Sequence, residues 1–261
     1  MKKILTSLVA TALLTLTANA DLTRLEMGAG MWQQTPTGSV HASTTEESDL
    51  LNLSGDYNSL EKDSNEMYLW MLIKHPIPIL PNLRLEYVST SDEGTTDGDV
   101  NGQPTNSNAS PTTIDMHQFD IIPYYNILDN TAWITLDIGV DIKVVKSDAY
   151  VSDLAPTSGF LDTSYTSNET IVLPLLYLRT RLEIPATNIG LEADVKYITY
   201  DGSTVYDVRA KVDYTLDFFP VVQPAIEVGY RTQKIDLEEV DTENTLNFEF
   251  SGVYAGVMVR F

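Results

Sequence analysis

A strict alternation of apolar and polar residues, kept over segments of nine to twelve residues, is the feature that most constrains this chain. Between residues 134 and 144 every even position is aliphatic, whereas the odd positions carry Thr, Asp, Gly and Lys. The same alternation occurs in residues 189–197, 205–216 and 253–261. Because successive side chains of a strand point to opposite faces, a period of two predicts β-strands. These strands exceed the usual length of about five or six residues in soluble proteins and match tilted membrane-spanning strands of about nine to eleven residues.

Alternation alone leaves two β architectures open. In a soluble sandwich or lipocalin-like barrel the apolar faces point inward, whereas in a membrane-spanning barrel they point outward to lipid. After residue 20 no apolar run approaches the roughly 20 residues that a spanning helix needs. If the chain crosses a membrane, it therefore does so as a closed barrel, the only other structure that satisfies its backbone in lipid.

The first twenty residues have the pattern of a secretory signal peptide. Lys2 and Lys3 give a positive start, residues 4–16 are mostly apolar, and Ala18-Asn19-Ala20 supplies the small residues before a cleavage site. We expect residues 1–20 to be removed and residues 21–261 to form one barrel domain. Residue 21 is Asp rather than Cys, so the chain is not expected to be a lipoprotein.

The composition excludes several classes of function. The chain has 37 acidic and 16 basic residues, a net charge of −21 and a pI near 4.2. Removal of Lys2 and Lys3 makes the net charge −23. Nucleic-acid binding needs clustered basic residues, so a nucleic-acid partner is not expected. The absence of Cys excludes disulfides and thiolate metal sites.

The polar faces of the predicted strands carry nearly equal numbers of opposite charges. An enclosed charge is expensive unless it is paired, so near neutrality predicts that these faces line a closed, mostly filled interior. The ten basic residues are Lys74, Arg84, Lys143, Arg179, Arg181, Lys196, Arg209, Lys211, Arg231 and Arg260. The eleven acidic residues are Glu26, Glu86, Asp120, Asp137, Asp141, Glu183, Glu192, Asp194, Asp207, Asp213 and Glu227.

The surplus negative charge lies in the connections between the strands. Long polar connections, rich in Asp and Glu, alternate with short turns, and this asymmetry is typical of outer-membrane barrels, with the short turns on the periplasmic side. The long set, to which the brief segment 201–204 also belongs, comprises residues 37–66, 92–112, 150–167 and 237–244. The short set comprises residues 76–82, 128–130, 185–188 and 219–222.

These connections define the expected architecture. Four short turns and the two chain ends make one rim, and five connections make the other, which predicts an all-β, antiparallel, up-and-down barrel of ten strands with both termini periplasmic. Eight or twelve strands remain possible.

In the last strand Phe248 and Phe250 are out of step with Val253, so a β-bulge is expected near Ser251-Gly252. An interface girdle of aromatic residues is expected from Trp70, Tyr87, Tyr124, Tyr125, Trp133, Tyr177, Tyr197, Tyr214 and Tyr230.

Several segments resemble a family of small Gram-negative outer-membrane β-barrel proteins of unknown function. The C-terminal VMVRF, which ends on Phe261, is similar to the terminal strand by which the barrel-assembly machinery selects such proteins. The longer segments are WMLIKHPIPILPNLRLEY at 70–87, HQFDIIPYYNILDN at 117–130, IGLEADVKYITYDG at 189–202 and VGYRTQKIDLEEVD at 228–241. The resemblance covers nearly the whole mature chain. It implies the fold and an outer-membrane location, and it brings no catalytic or ligand-binding residues.

Few residues suggest chemistry. The three His residues, at 41, 75 and 117, form no HExxH motif, and no GxSxG motif or P-loop occurs. His117 and Asp115 share a strand face, whereas Asp120 points to the opposite one, so this cluster is not expected to act together. The acidic segment 92–102 lacks the terminal Glu of an EF-hand, and a solvated loop is favoured there over a cation site.

Three functions remain open at this stage. The favoured one is an outer-membrane barrel with a mostly filled lumen and a structural or surface-interaction role, with no enzymatic activity and no cofactor. A narrow channel is the alternative, because a ten-stranded barrel has little free space inside. A soluble periplasmic ligand binder is the third. The expected partners are outer-membrane lipid, lipopolysaccharide and, during insertion, the barrel-assembly machinery. The sequence leaves open whether the acidic loops bind divalent cations, and it does not indicate an oligomeric state.

Overall fold

The computed structural model describes residues 23–42, 55–77, 79–100, 102–106, 109–156, 163–216, 222–238 and 244–261. The predicted signal peptide and the expected mature start at Asp21 lie outside these residues. Within them the fold is all-β, and no helix is long and apolar enough to cross a membrane.

Thirteen strands are formed by these residues, several of them much longer than typical soluble strands. They are β1 (Arg24–Ala42), β2 (Gly55–Ser59), β3 (Ser64–Lys74), β4 (Asn82–Asp97), β5 (Asp99–Val100), β6 (Gln103–Pro104), β7 (Ser110–Thr131), β8 (Ile134–Ser152), β9 (Ser164–Glu183), β10 (Ile189–Tyr200), β11 (Ser203–Thr215), β12 (Gln223–Glu238) and β13 (Thr245–Arg260).

Ten of the strands form a closed antiparallel ring. β1, β3, β4 and β7 to β13 each pair with their neighbours in this order, and β13 pairs back with β1 from Glu26↔Arg260 to His41↔Thr245. The predicted ten-stranded, up-and-down barrel is therefore confirmed. The ring is thereby closed, as a barrel in lipid requires. β9 pairs with β10 only from Leu176 to Glu183, so residues 164–175 of β9 pair with β8 alone.

β2 is an additional strand that lies above β3, between β1 and β4. It pairs with β1 through Val40↔Tyr57 and with β4 through Ser59↔Gly94. Much of the segment 37–66 is thus strand rather than loop, with residues 43–54 outside the described part of the chain. The segment 92–112 was also predicted to be a connection, but both of its ends are strand. β4 continues to residue 97, and β7 begins at residue 110. Both segments are rich in Thr and Ser, and Thr favours strands although it is polar.

The turns of the opposite rim are short, and one is displaced from its predicted position. β7 continues through residues 128–130, and the chain reverses at Ala132-Trp133, where φ is +54° and +70°. Two consecutive positive φ angles are the requirement of a two-residue type I′ hairpin. The displacement follows two register shifts between Asn126 and Thr131, which an alternation pattern does not reveal.

The apolar faces of the strands point outward over one half of the barrel. Leu176 and Val257 are 70% and 63% exposed on the outer wall, whereas Lys143 and Lys196 are 0% exposed inside. Apolar side chains outside and charged side chains inside are the reverse of a soluble barrel and are typical of a barrel in lipid. We call this outer surface the apolar band; it comprises the outward residues of segments 25–31, 67–73, 83–87, 119–127, 134–144, 172–182, 191–197, 206–214, 224–230 and 253–259.

Beyond the apolar band, at the end opposite the termini, the polarity of the wall reverses. In β13 the outward residues change from Val253 to Glu249, while Phe248 and Phe250 point inward and are buried. We call this part of the barrel the upper section. Its buried apolar residues include Val40, Tyr57, Ile114, Met116, Val145, Ala149, Val151, Ile235, Leu237, Leu246, Phe248 and Phe250.

The β-bulge predicted at Ser251-Gly252 is wrong, because the reversal of polarity along the wall produced the pattern that suggested it. β13 keeps one register with β12 from Gln223↔Arg260 to Glu238↔Thr245. Its register with β1 is the same on both sides of Gln33-Gln34, where the pairing is interrupted for two residues. Phe248 falls out of step with Val253 because the apolar residues move from the outer to the inner face. The strand itself does not slip.

The aromatic girdle is confirmed in part. Tyr125, Trp133, Tyr197, Tyr214 and Tyr230 are exposed on the outer wall, and Tyr87 is half-buried there. In contrast, three residues that were expected in the girdle point into the barrel, because they share a face with inward charges; these are Trp70, Tyr124 and Tyr177.

The limits of the apolar band can be tested with one charge at two heights of β12. Val228→Arg, in the band, should lower the free energy of unfolding by about 2–4 kcal/mol, because a charged side chain must face hydrocarbon. Thr232→Arg, on the same face of the same strand but above the band, should lower it by about 1 kcal/mol or less. Urea unfolding in lipid vesicles measures both; equal losses would contradict the proposed boundary.

Candidate functional site

The charged interior of the lower half is the most distinctive site of the barrel. Of the ten basic and eleven acidic residues that the alternation assigned to the lumen, all are buried except Lys74 and Glu183. These two lie at the rim near the termini, where Lys74 pairs with Asp129 at 2.5 Å. The predicted interior is therefore confirmed for nineteen of the twenty-one residues.

The lowest part of the network joins the two ends of the chain. Arg260 Nε donates to Glu26 Oε1 at 3.1 Å, which connects the last strand to the first. Arg260 Nη2 also donates to Asp213 Oδ2 at 2.7 Å, and Arg181 holds the same carboxylate with two hydrogen bonds of 2.7 and 3.1 Å. Such bidentate, charge-assisted bonds are the strongest that a buried Arg makes.

The middle of the network connects opposite walls. Lys196 of β10 donates to Glu86 of β4 at 2.6 Å and to Asp120 of β7. Lys143 donates to Asp120 at 2.8 Å, and Arg84 Nε donates to Glu86 at 2.5 Å. Since β4 and β10 are four strands apart in a ring of ten, these side chains cross the lumen and fill it.

Two aromatic residues belong to this network, and their hydrogen bonds explain why they point into the lumen. Tyr68 Oη and Trp70 Nε1 both donate to Glu227 Oε1, at 2.8 and 3.0 Å. Lys211 donates to the other oxygen of Glu227 at 2.8 Å and lies 4.4 Å from the Trp70 ring centroid. A buried indole or phenol needs such a partner for its polar atom. Sequence reasoning missed this, because in segment 67–74 both faces are apolar.

A layer of amides separates the charges from the upper section. Gln118 and Gln233 hydrogen-bond each other across the barrel, and Lys143 donates to Gln118 at 3.3 Å from below. Above them the interior is mainly apolar. The cavity between Met116 and Leu246 has a volume of only about 10 Å³, which holds one water molecule at most.

One lumen carboxylate stands apart from this pairing. Asp141 is fully buried, and neither of its oxygens accepts a hydrogen bond from the described residues. Lys143 and Lys196 lie close enough to act on its charge. It is thus the least satisfied carboxylate of the middle network.

Asp92 is a second buried carboxylate and lies above the apolar band. Its Oδ1 accepts a hydrogen bond from Ser59 Oγ at 2.7 Å, and burial raises the pKa of Asp92 above its ordinary value. The folded protein therefore binds this proton more tightly than the unfolded chain, and the contribution of Asp92 to stability falls as the pH rises above about 4. Its neighbour Glu93 points outward and pairs with Lys62 at 2.7 Å.

The acidic segment 92–102 does not gather its carboxylates at one point. Asp92 faces inward and Glu93 outward, and the chain beyond them forms the end of β4 and the small β5–β6 hairpin. Among the residues that the structure describes, no group of three or more His, Cys, Asp or Glu side chains could hold a metal ion.

The three His residues lie far apart in the fold. His41 pairs with Asp56 at the top of β1, and His75 Nε2 lies 3.0 Å from the Pro81 carbonyl oxygen in a turn near the termini. His117 faces outward with Tyr87 Oη 3.0 Å from its Nδ1, whereas Asp120 is buried on the opposite face. The expectation that Asp115, His117 and Asp120 do not converge is confirmed.

Comparison with known proteins supports the fold. No family model and no curated protein matches the chain. The outer membrane protease OmpT from Escherichia coli superposes with a TM-score of 0.51 and 10% identity, over 92% of this chain and 96% of that one. The Pseudomonas putida toluene transporter TodX has a TM-score of 0.32 and 11% identity, over 94% and 91% of the chains. A Pseudomonas aeruginosa FadL homologue has a TM-score of 0.32 and 8% identity, over 92% and 90%.

Of these three, OmpT alone has a TM-score above 0.5, and its similarity supports the barrel fold that the sequence resemblance implied. At such low identities the comparison concerns the fold alone. It transfers neither the proteolysis of OmpT nor the transport of TodX to this chain. The chain therefore has an outer-membrane β-barrel fold.

The pairing of lumen charges can be tested on Arg209 and Asp194. Arg209 donates twice to Asp194 Oδ2, at 2.9 and 2.7 Å. Arg209→Met should lower the free energy of unfolding by about 3–5 kcal/mol, because it leaves a buried carboxylate without its partner. The double variant Arg209→Met/Asp194→Asn should recover part of this loss. Urea unfolding in vesicles measures the cycle; a double variant as unstable as the sum of both single variants would contradict the pairing.

Proposed function

We propose that the protein is an integral outer-membrane barrel with a closed lumen, whose upper section holds polar, acidic connections outside the cell for a structural or surface-binding role. The observation that carries this proposal is the reversal of polarity along the wall. The lower half is built for lipid outside and paired charges inside, and the upper section is built for water outside and an apolar core inside.

Two features support a closed lumen. The charged side chains of the middle network span the barrel from β4 to β10, and the upper section adds an apolar layer above them. Ions cross an apolar constriction poorly, because water leaves it. A ten-stranded ring also encloses little more than its own side chains, whereas open porins have about sixteen strands.

The proposed orientation follows from the two rims. The rim at the termini has short connections such as Ala132-Trp133, which is typical of the periplasmic side. The opposite rim carries Asp56, Glu61, Asp63, Asp97 and Asp153 among the described residues. Seven further acidic residues of the long connections lie outside the described residues; they are Glu46, Glu47, Asp49, Asp162, Glu239, Asp241 and Glu243.

We assign no enzymatic activity to the chain. This proposal rests on the separation of His41, His75 and His117, which lie at different places on the wall. Among the described residues, the hydrogen-bond partners of each His do not combine an acid with a nucleophile. The domain division is equally a proposal, with a signal peptide at residues 1–20 and a barrel at residues 21–261.

A narrow channel is the second candidate. Charged side chains continue through the whole lower half, and Asp141 keeps both oxygens free of hydrogen bonds from the described residues. Such an interior could be hydrated and conduct ions if the upper section opened. The apolar layer is therefore the part of the barrel on which the choice between the two functions depends.

Orientation can be tested by labelling, because the chain has no native Cys. Tyr200 is 77% exposed at the upper rim, and Ile79 is 84% exposed in a turn of the other rim. A membrane-impermeant maleimide added to intact cells should label Tyr200→Cys and leave Ile79→Cys unlabelled. Both should react after the cells are broken. Labelling of Ile79→Cys alone in intact cells would reverse the proposed orientation.

Conductance can be tested in planar bilayers. The purified mature protein should give no discrete current steps, whereas Phe248→Ser/Phe250→Ser should give small, salt-dependent ones, because polar side chains replace the apolar layer. Phe119→Ser makes the same change on the outer wall, where Phe119 is 42% exposed, and should stay silent. Regular current steps from the unaltered protein would favour the channel over the closed barrel.

A further inference from the structure

One basic side chain of this barrel differs from all the others. Lys2 and Lys3 lie outside the described residues, which leaves fourteen of the sixteen Lys and Arg residues. Thirteen of these have a carboxylate oxygen within 4.0 Å. Lys146 of β8 is the exception among the described residues, in a chain where acidic residues outnumber basic ones more than two to one.

Lys146 lies at a defined height on the outer wall. It is exposed, and it follows Val144, the last outward residue of the apolar band on β8. In the neighbouring strands the band ends at the same height, with Phe119 of β7 and Val172 of β9 opposite Val144. Lys146 therefore lies in the first polar row above the hydrocarbon, which is the level of lipid headgroups.

Its neighbours in this row are hydrogen-bonding side chains. His117 of β7 and Thr170 of β9 are its register partners and also face outward. Tyr87 Oη lies 3.0 Å from His117 Nδ1, and the two rings are nearly parallel. When this hydroxyl donates to Nδ1, the neutral imidazole carries its proton on Nε2 and can donate to a ligand. No described residue hydrogen-bonds to Nε2.

We propose that Lys146, His117 and Thr170 bind a phosphate group of an outer-leaflet lipid, namely lipopolysaccharide. Lysine pairs with phosphate as a point charge, and basic residues next to an anionic lipid surface strengthen membrane binding. The choice of the outer leaflet rests on the orientation proposed above. The site goes beyond that proposal because it names the lipid group and the residues that contact it.

The surrounding charges favour a lipid over an anion from solution. In the next row above, Asp115 lies opposite Asp148 in register, and both face outward. An anion that approaches from water meets these carboxylates first and is repelled. A lipid phosphate, in contrast, reaches Lys146 from the membrane side, already held at the correct height by its acyl chains.

The test uses the full mature protein in detergent, titrated with diphosphoryl lipid A and followed by native mass spectrometry. Lys146→Gln should weaken retention of this lipid about fivefold, the effect of one basic residue at an anionic membrane surface. His117→Ala should weaken it less. The matched control is Lys234→Gln, since Lys234 also faces outward above the band but already pairs with Asp236 at 2.7 Å.

Three results would overturn the site. The first is equal retention by Lys146→Gln and the unaltered protein. The second is equal retention of lipid A whose phosphates have been removed. The third is loss of the lipid on addition of millimolar inorganic phosphate, which would indicate a site for a free anion. Unchanged heat-modifiable gel mobility of each variant shows that it is folded.

A wrong orientation can be told apart from a wrong site. If Ile79→Cys rather than Tyr200→Cys is labelled in intact cells, Lys146 faces the inner leaflet, and phosphatidylglycerol then replaces lipid A as the probe. Dependence of that binding on Lys146 would mean that the phosphate site is correct and its leaflet is not. Binding of lipid A that depends on Lys146 supports both proposals.

Discussion

The pairing of charges inside the membrane-embedded half is the interaction on which the rest of this structure depends. An ion buried in a low-dielectric interior is tolerated only next to an opposite charge with good geometry. Lys196 meets this requirement by reaching Glu86 and Asp120 across the lumen, and Arg260 meets it by joining the last strand to the first through Glu26. The same bonds that satisfy the charges therefore close the ring and fill its centre, so stability and a closed lumen have a common cause.

The reversal of polarity follows from the two solvents that one set of strands meets. In lipid the outer face must be apolar, and the polar groups must turn inward and find partners. In water the hydrophobic effect acts in the opposite direction and drives apolar residues such as Phe248 and Phe250 into the interior. Since β13 keeps its register with β12 through this change, this part of the wall continues beyond the apolar band. The upper section is thus built from strands of the barrel itself.

Alternation predicted the strands, their number and almost all of the lumen charges, because a charged residue on a spanning strand has only one tolerable side. The aromatic girdle failed in part because it was predicted from residue type. Trp70, Tyr124 and Tyr177 share their strand faces with lumen charges, so alternation itself places them inside. At Phe248 the apolar residues of β13 change from the outer to the inner face. A β-bulge would give the same sequence pattern. The candidate lipid site could not be predicted from the sequence at all, since the missing partner of Lys146 is a property of the folded neighbourhood.

The distribution of charge also bears on the choice between transport and surface binding. The basic and acidic residues of the lumen nearly cancel, so most of the net charge of −21 lies on the connections and the outer wall of the upper section. Among the described residues of the lower half, Asp141 is the one lumen carboxylate without a hydrogen-bond partner, so this lumen offers a passing ion little unpaired charge. The exposed rim, in contrast, presents a negative field that extends about 8 Å into physiological salt. Such a field attracts cationic groups and repels the phosphates of neighbouring lipids. An unpaired Lys146 at the headgroup level compensates this repulsion where the wall meets the lipid.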